Sequence, residues 1–503
     1  MFAQLAPWSS PTVDYHALAP EIVLASFLVI AIIADLLFEE RQKWATSTIA
    51  GIGLLATLVP IVTLSVDSGP ARSMFDGAYV VDDFSLVLKA LFCIAGYVVV
   101  LMSANYVEEG GYYQGEYYTL LLSSVLGMLM MASSRELVSM FVALELLSIP
   151  AYMLAAWRKR DLKSNEAGMK YFLLGVFASA VMLYGMSLLY GVSGSTRFAD
   201  IADYVHTAGN QPIITLAVVF IVVGFAFKVS AVPFHTWAPD TYEGAPTPIA
   251  AFLSVASKAA GFVALLALLF GAFPGAKDVT EPLFWVLAAV TMTLGNLVAL
   301  RQTNIVRMLA YSSVAQGGFI LMPLAVIGDS ASAREDALTA VITYLLIYAA
   351  MNLGAFAVVM AVSRKTRSAE ISSFGGLFLY APGLCTLMTI FLFSLAGIPP
   401  LGGWVAKFAV FRALLSAGGN WAVALAVIGV VNSVIALFYY ANVAKEMWFN
   451  PIPDGDATPI RVPPPLVAAL GITAFVTLLT GILPNLVLRF GDLSSLVSSA
   501  AGR

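Results

Sequence analysis

The chain has 503 residues, 60% hydrophobic and 11% charged, with a mean hydropathy of +0.88; average proteins carry about 25% charged residues. So much apolar surface must face lipid or pack between helices, which excludes a soluble domain. The net charge of −4 is scattered through short loops and leaves no basic face, so nucleic acid is not an expected partner. There is no P-loop, no GxGxxG after a strand and no CxxC, and Cys93 and Cys385 sit singly in apolar runs as small hydrophobes.

The first residues, MFAQLAPWSSPTVDYH, lack a basic n-region, so no cleavable signal peptide is expected. Apolar runs long enough to cross a bilayer, roughly 20 residues each, lie near 17–38, 44–66, 84–105, 117–134, 136–157, 167–191, 212–233, 247–272, 282–300, 304–328, 337–362, 384–417, 420–447 and 464–490. The seventh should break at Pro233. The twelfth is too long for one simple span, and its AGIPPLGG ends one helix and starts another. Between the runs, 67–83 and 192–211 read as short polar loops, YYQGEYY at 112–118 as an interfacial aromatic belt, and Pro-rich 448–463 as a connection. The predicted fold class is all-α, a polytopic membrane protein of about fourteen transmembrane helices.

Arg41 and Lys43 come after the first span, Arg158, Lys159, Arg160 and Lys163 after the fifth, Arg301 and Arg307 after the ninth, and Arg364, Lys365 and Arg367 after the eleventh. Loops after even spans hold little beyond single residues such as Arg72, Arg197, Lys277 and Arg334. Lys and Arg favour the cytoplasmic side. Both termini are therefore expected on the outer side of the cell inner (plasma) membrane. The broken spans are each fourth in a set of five, and five is odd, so two inverted five-helix repeats are predicted. The expected organisation is a three-helix region at 1–110, repeats at 117–272 and 282–447, and a C-terminal helix and tail at 464–503.

Ionisable groups deep in a span are costly and mark function. Glu145 lies near the centre of the fifth span, among apolar neighbours. Lys228 lies well inside the seventh, five residues before Pro233, and a broken helix inside a membrane is tolerated only against protein or water. Lys258 is central in the eighth, flanked by Ser254, Ser257 and Gly261, and Lys407 comes after the break in the twelfth. Glu145 and Lys258 also suit a packing pair between helices, and Lys228 and Lys407 a snorkelling lysine; a proton relay is the preferred role. His235 either shuttles protons or caps the broken helix. Ser148, Tyr311, Ser312, Ser313, Gln316, Tyr344, Tyr348, Asn352, Asn432, Tyr439 and Tyr440 supply polar atoms that could wire such a relay. Glu21, Asp35, Lys89 and Lys170, nearer span ends, are explained by snorkelling.

Three blocks carry a family resemblance: ALELLSIPAY around Glu145, FKVSAVPFHTWAPDTYEGAPTPIAAFLSVASKAAG around Lys228 and Lys258, and FSLAGIPPLGGWVAKF around Lys407. They resemble the antiporter-like membrane subunits of bacterial respiratory complex I, the proton-pumping NADH:quinone oxidoreductase. The likeness covers the chain from about the third span onward and is nearest to subunit N. The chain lacks the lateral C-terminal extension of subunit L, and subunit M usually has glutamate where Lys407 stands. The resemblance implies a translocase subunit in which Glu145 and Lys228 form a controlling pair, Lys258 a central relay and Lys407 the outlet group. It implies no cofactor in this chain, with NADH, FMN, iron–sulfur clusters and quinone held elsewhere in the complex. The implied partners are the neighbouring antiporter-like subunit, small helical membrane-arm subunits and the lipid bilayer. An Mrp-type cation/proton antiporter subunit, a purely structural subunit, and the related membrane-bound hydrogenase or ferredoxin-fed photosynthetic complexes remain alternatives.

Overall fold

A computed structural model of the chain describes residues 13–39, 42–67, 69–110, 114–209, 211–327 and 330–491. Most of the N-terminal stretch scanned for a signal peptide, part of the YYQGEYY cluster and the tail beyond 491 lie outside the described residues. Helix α1 (Ala19–Leu37) and α2 (Trp44–Val66) lead to an antiparallel hairpin of β1 (Arg72–Met74) and β2 (Tyr79–Val81), Arg72 facing Val81 and Met74 facing Tyr79. Then come α3 (Asp83–Glu109), α4 (Gln114–Ser133), α5 (Leu137–Ala155) and α6 (Leu162–Ser193). Short α7 (Phe198–Ala208) precedes a broken pair, α8 (Pro212–Lys228) and α9 (Trp237–Gly244). Next is one continuous rod, formed by α10 (Thr247–Phe252), a π-helical turn at Leu253–Ser257 and α11 (Lys258–Gly271). After α12 (Lys277–Ala299), α13 (Ile305–Leu321) and the long α14 (Ala331–Thr366) comes the one-turn α15 (Leu377–Tyr380). A second broken pair, α16 (Pro382–Ala396) and α17 (Gly402–Ala417), leads into α18 (Asn420–Phe449), α19 (Pro464–Ile482) and α20 (Pro484–Gly491).

Each of the fourteen apolar runs is occupied by helix, and eleven helical segments among the described residues are long and apolar enough to cross a membrane. Local chemistry sets their ends. Asp82 accepts from the Ser85 amide while Ser85 reaches back to the Asp82 amide, a capping box for α3. Asn304 caps α13 and Ser330 caps α14 in the same sense. Burial follows position in the bundle and not apolarity: the 247–271 rod is wholly enclosed, whereas only about a third of α6 and of α18, at equal or higher mean hydropathy, is buried. The rod packs against α3, α4, α8 and α14, so whatever it carries is held at the centre of the bundle.

Four expectations are corrected. The stretch 67–83 is not a plain loop but holds the hairpin, pinned to the end of α4 by pairing of Tyr79 with Ser134. The stretch 192–211 holds α7, because Phe198, Ile201 and Val205 recur on one face and bury there. The run 464–490 is two helices, since Pro484 cannot continue α19 and starts α20 instead. Tyr117 and Tyr118 are fully buried, Tyr117 edge-on against Trp157 and bonded to Ser103, so they form core rather than interfacial belt.

Lys89 and Glu21 do not snorkel. The Lys89 side chain is fully buried and pairs with Glu21 at 2.7 Å, with the Tyr79 ring 5.4 Å from its ammonium. Lys170 reaches both Glu166 and Asp240 at 2.7 Å. Breaking a buried pair strands a charge and costs about 3–5 kcal/mol, whereas replacing both partners with apolar groups is often neutral. Lys89→Met and Glu21→Leu alone should therefore each lower the thermal midpoint and membrane yield. The double variant should recover most of the loss, a non-additivity read by a double-mutant cycle on the purified protein.

Candidate functional site

The lysines sit where helices depart from regularity. At the first break Val232 donates its amide to Thr291 Oγ1 at 3.0 Å, and the Trp237 indole donates to the Phe227 carbonyl at 3.0 Å. The groups freed by the break are thus met inside the protein. Lys228, the last residue of α8 and 3% exposed, donates to Ser148 Oγ at 2.9 Å and to the Tyr171 hydroxyl at 3.2 Å. Tyr171 stacks on Trp237 with centroids 4.4 Å apart, which fixes its hydroxyl under the lysine.

Ser148 stands one turn beyond Glu145 on α5 and so shares its face. The Glu145 carboxylate accepts from Ser179 Oγ at 2.6 Å and is half-buried. Among the described residues Glu145 and Lys228 do not close an ion pair within 4 Å; Ser148 bonds Lys228 between them.

Lys258 opens α11 directly after the π-turn and is 1% exposed. A π-turn inserts an extra residue and re-aims the side chains beyond it. The ammonium meets both the carbonyl and the hydroxyl of Ser313 at 2.6 Å, and the Tyr348 hydroxyl donates to Ser313 Oγ at 2.9 Å. Two glycines let the first two lysines approach. A Cβ on Gly261 would lie 3.2 Å from Lys228 Cγ, and one on Gly317 would lie 3.1 Å from the Val229 carbonyl and 3.9 Å from Lys258 Nζ. Gly261 is one turn from Lys258, so the Lys228 stem lies on the helix that carries the second lysine.

From Ser313 the polar groups continue along α13. Gln316, one turn on, accepts from Tyr344 and donates to the Leu395 carbonyl at 2.9 Å and to Tyr440 at 3.3 Å; Ser312 also bonds Tyr440. Leu395 and Ala396 end α16. Lys407, 4% exposed, donates to the Ala396 carbonyl at 2.7 Å and to Ser433 at 3.3 Å, over the Phe319 ring at 4.6 Å. Gly397 takes φ +91°, and a Cβ there would lie 2.8 Å from Lys407 Cδ; glycine both turns the chain and leaves room for the lysine stem. Adjacent carbonyls at one helix end thus receive Gln316 and Lys407.

Lys228, Lys258 and Lys407 are buried, each with its own oxygen partners, and Glu145 lies one turn from the Ser148 that meets Lys228; among the described residues no hydrogen bond runs from one lysine to the next. His235 stands apart, half-buried, its ring centroid 6.5 Å from that of Tyr311 and its Nδ1 without a hydrogen-bond partner among the described residues. Ser230, Tyr242 and Ser257 have buried hydroxyls without a hydrogen-bond partner among the described residues, and Tyr242 approaches both Ser230 and Ser313. Such atoms inside a protein call for water. Among the described residues no three His, Cys, Asp or Glu side chains converge as metal ligands would.

Sequence reasoning missed Tyr171, Ser179 and Thr291. Each is a lone polar residue in an apolar helix, and its partner comes from another span; no local pattern announces it. A cluster at one end of the bundle was also missed. Asp240 bonds Lys170 at 2.7 Å and Arg307 at 2.8 Å, Arg307 also holds Glu243 at 2.8 Å, and Arg158 donates to the Gly244 carbonyl. These pairs tie α9 to α6 and α13. Lys170 precedes Tyr171, and Arg307 lies less than two turns before Ser313, so one network braces the partners of both lysines.

The family model described as NADH:quinone oxidoreductase/Mrp antiporter, transmembrane, matches residues 134–436, a stretch holding Glu145, Lys228, Lys258 and Lys407. The chain belongs to this family. It is 42% identical to NADH-quinone oxidoreductase subunit N of Moorella thermoacetica, over 94% of this chain and 96% of the relative. Among solved structures it is similar to a chain of respiratory complex I from Thermus thermophilus, with a TM-score of 0.76, 31% identity and coverage of 93% and 98% of the two chains. A chain of the Mrp complex from a Dietzia species matches with a TM-score of 0.83 over 96% and 97%, but at 21% identity that likeness concerns fold alone. Membership and the apolar helices make the chain a multi-pass membrane protein.

A shared ion network is worth more than isolated surface pairs, which give about 0–1 kcal/mol each. Arg307→Ala releases Asp240 and Glu243 together. It should lower the thermal midpoint by more than Lys163→Ala, which removes a single exposed pair to Glu243; differential scanning of the two variants in one detergent makes the comparison.

Proposed function

We propose that the chain is a proton-translocating membrane subunit of an NADH:quinone oxidoreductase, a translocase component that carries no redox centre of its own. The single observation behind this reading is the set of three buried lysines, Lys228, Lys258 and Lys407, each held by its own protein oxygens, with Glu145 one turn from the Ser148 that meets Lys228. The likeness to subunit N over nearly the full length supports the assignment to that complex. NADH, FMN, iron–sulfur clusters and quinone belong to other subunits. The neighbours are a second antiporter-like subunit and small helical chains. The setting is the inner (plasma) membrane, with both termini outside, as the Lys and Arg distribution supports.

In this reading Ser148 relays the state of Glu145 to Lys228. Two unit charges about 4 Å apart interact by roughly 4 kcal/mol at an effective dielectric of about 20, an upper bound for Glu145 and Lys228, which do not close within that distance. Moving one charge against 100 mV costs about 2.3 kcal/mol. Altering the Glu145 charge or position is therefore large enough to drive one step. Redox work in neighbouring subunits weakens the hold of Glu145, and Lys228 gives up its proton. Water at Ser230, Tyr242 and Ser257 carries it to Lys258, and the hydroxyls of Ser313 and the amide of Gln316 order the path to Lys407. His235 serves a side branch through Tyr311.

Lys228→Ala, Lys258→Ala and Lys407→Ala should each slow proton pumping by about tenfold or more, the factor that about 1.4 kcal/mol of barrier produces. Acidification of vesicles holding the purified assembly is the measurement, with assembly checked on native gels. Normal pumping in all three variants removes the relay. The family description, which names the Mrp antiporter beside the oxidoreductase, keeps an Mrp-type cation/proton antiporter subunit as the second reading. Co-purification with NADH-oxidising chains decides for the first, and cation-driven proton exchange without them for the second.

A further inference from the structure

Two cavities meet at the hairpin end of the bundle. The larger, about 400 Å³, runs between α2, α3, α14, α19 and α20, and Ile61, Ala90, Ile94, Ala350, Val476 and Phe490 are typical of its walls. Its few hydroxyls, on Ser65, Thr473 and Thr480, are spent on carbonyls of their own helices, so the lining offers no polar group. Along α3 it extends from Leu86 to Val98, roughly 18 Å at 1.5 Å per residue, near the depth of one leaflet of an about 30 Å hydrocarbon core. The smaller cavity, about 290 Å³, is polar and shares Leu86 with the groove; Asp67, Arg72 and Asp83 line it. Arg72 is already shared between Asp14 and Asp67, and Asp83 is exposed without an ion partner among the described residues. The rim therefore has one cation and a surplus of carboxylates.

We propose that the two cavities form one site for a zwitterionic aminophospholipid. An acyl chain fills the groove, the headgroup ammonium meets Asp67 and Asp83, and the phosphate faces Arg72. The groove runs only roughly 18 Å along α3, short of the about 30 Å that a spanning partner helix would line, so its length suits an acyl chain of one leaflet. The chain's own residues 492–503, DLSSLVSSAAGR, follow α20 in sequence, but four serines, an aspartate and an arginine do not match an apolar wall. The site also has a place in the bundle. On α14, Leu346, Ala349 and Leu353 face the groove, while Tyr344, Tyr348 and Asn352, spaced by four, bond toward the polar axis. The bound chain backs the helix that carries these groups.

The test counts lipid and needs no pumping assay, so its failure is separate from failure of the relay. The purified assembly is stripped with detergent and placed in nanodiscs of dioleoylphosphatidylglycerol, alone or mixed with the ethanolamine or choline lipid; bound lipid is then counted by native mass spectrometry. The expected result is one retained ethanolamine lipid. Ala90→Phe with Ala350→Phe should weaken its retention by roughly tenfold or more, because the chain methylenes lose their apolar contact. Asp67→Asn with Asp83→Asn, both at the surface, should keep a lipid but erase the preference for ethanolamine over glycerol. Undiminished lipid in the filled-groove variant overturns the site, and equal retention of all three headgroups by the unaltered protein overturns the headgroup assignment. A ready disulfide between Ile94→Cys and Leu496→Cys would put the tail in the groove and also overturn the proposal.

Discussion

An ammonium group enclosed by helices in a membrane has to find oxygen atoms in the protein itself, because the surrounding hydrocarbon offers none. Regular α-helix cannot provide them, since its carbonyls are already engaged. The chain meets this demand by being irregular where lysines lie. Lys228 stands at the end of a helix stopped short of Pro233, Lys258 comes directly after a π-turn, and Lys407 reaches into the carbonyls that end α16. Glycines at 261, 317 and 397 then remove the side chains that would stand in the way.

That demand explains what was readable in the sequence. A charged residue inside an apolar run stands out by composition alone, so Glu145, Lys228, Lys258 and Lys407 were legible, as were the breaks at Pro233 and AGIPPLGG, because proline and glycine act locally. The fourteen apolar runs were legible for the same reason. Less visible was everything that depends on which span lies beside which. Tyr171 bonds Lys228 across 57 positions of sequence and Lys170 bonds Asp240 across 70. Nothing in KYFLLG or PDTYEG declares those distances. The π-turn was hidden too, because Leu253–Ser257 has the composition of ordinary helix.

Polar residues near span ends are the hardest to read. Lys89 lies near the start of α3, where a lysine stem is long enough to carry its ammonium to the interface; Glu21 on α1 meets it inside instead. Whether a lysine snorkels depends on what the neighbouring helix offers, and that is a property of packing. The tyrosines at 117 and 118 make the same point. An aromatic cluster at the end of a span has the composition of a belt, yet these rings turn inward, Tyr117 onto Trp157 and Ser103 and Tyr118 edge-on to Tyr117.

The ion network around Asp240 has a mechanical side. Lys170, Arg307 and Arg158 staple one end of α6, α9 and α13 into a single block, and within the chain α9 joins α8 through the non-helical link at 229–236. A bundle stapled at one end and articulated near its middle bends at the articulation. The articulation nearest the staple is the link beside Lys228, which lacks the regular i to i−4 bonds of the helices on either side, while the stapled end is held by charge.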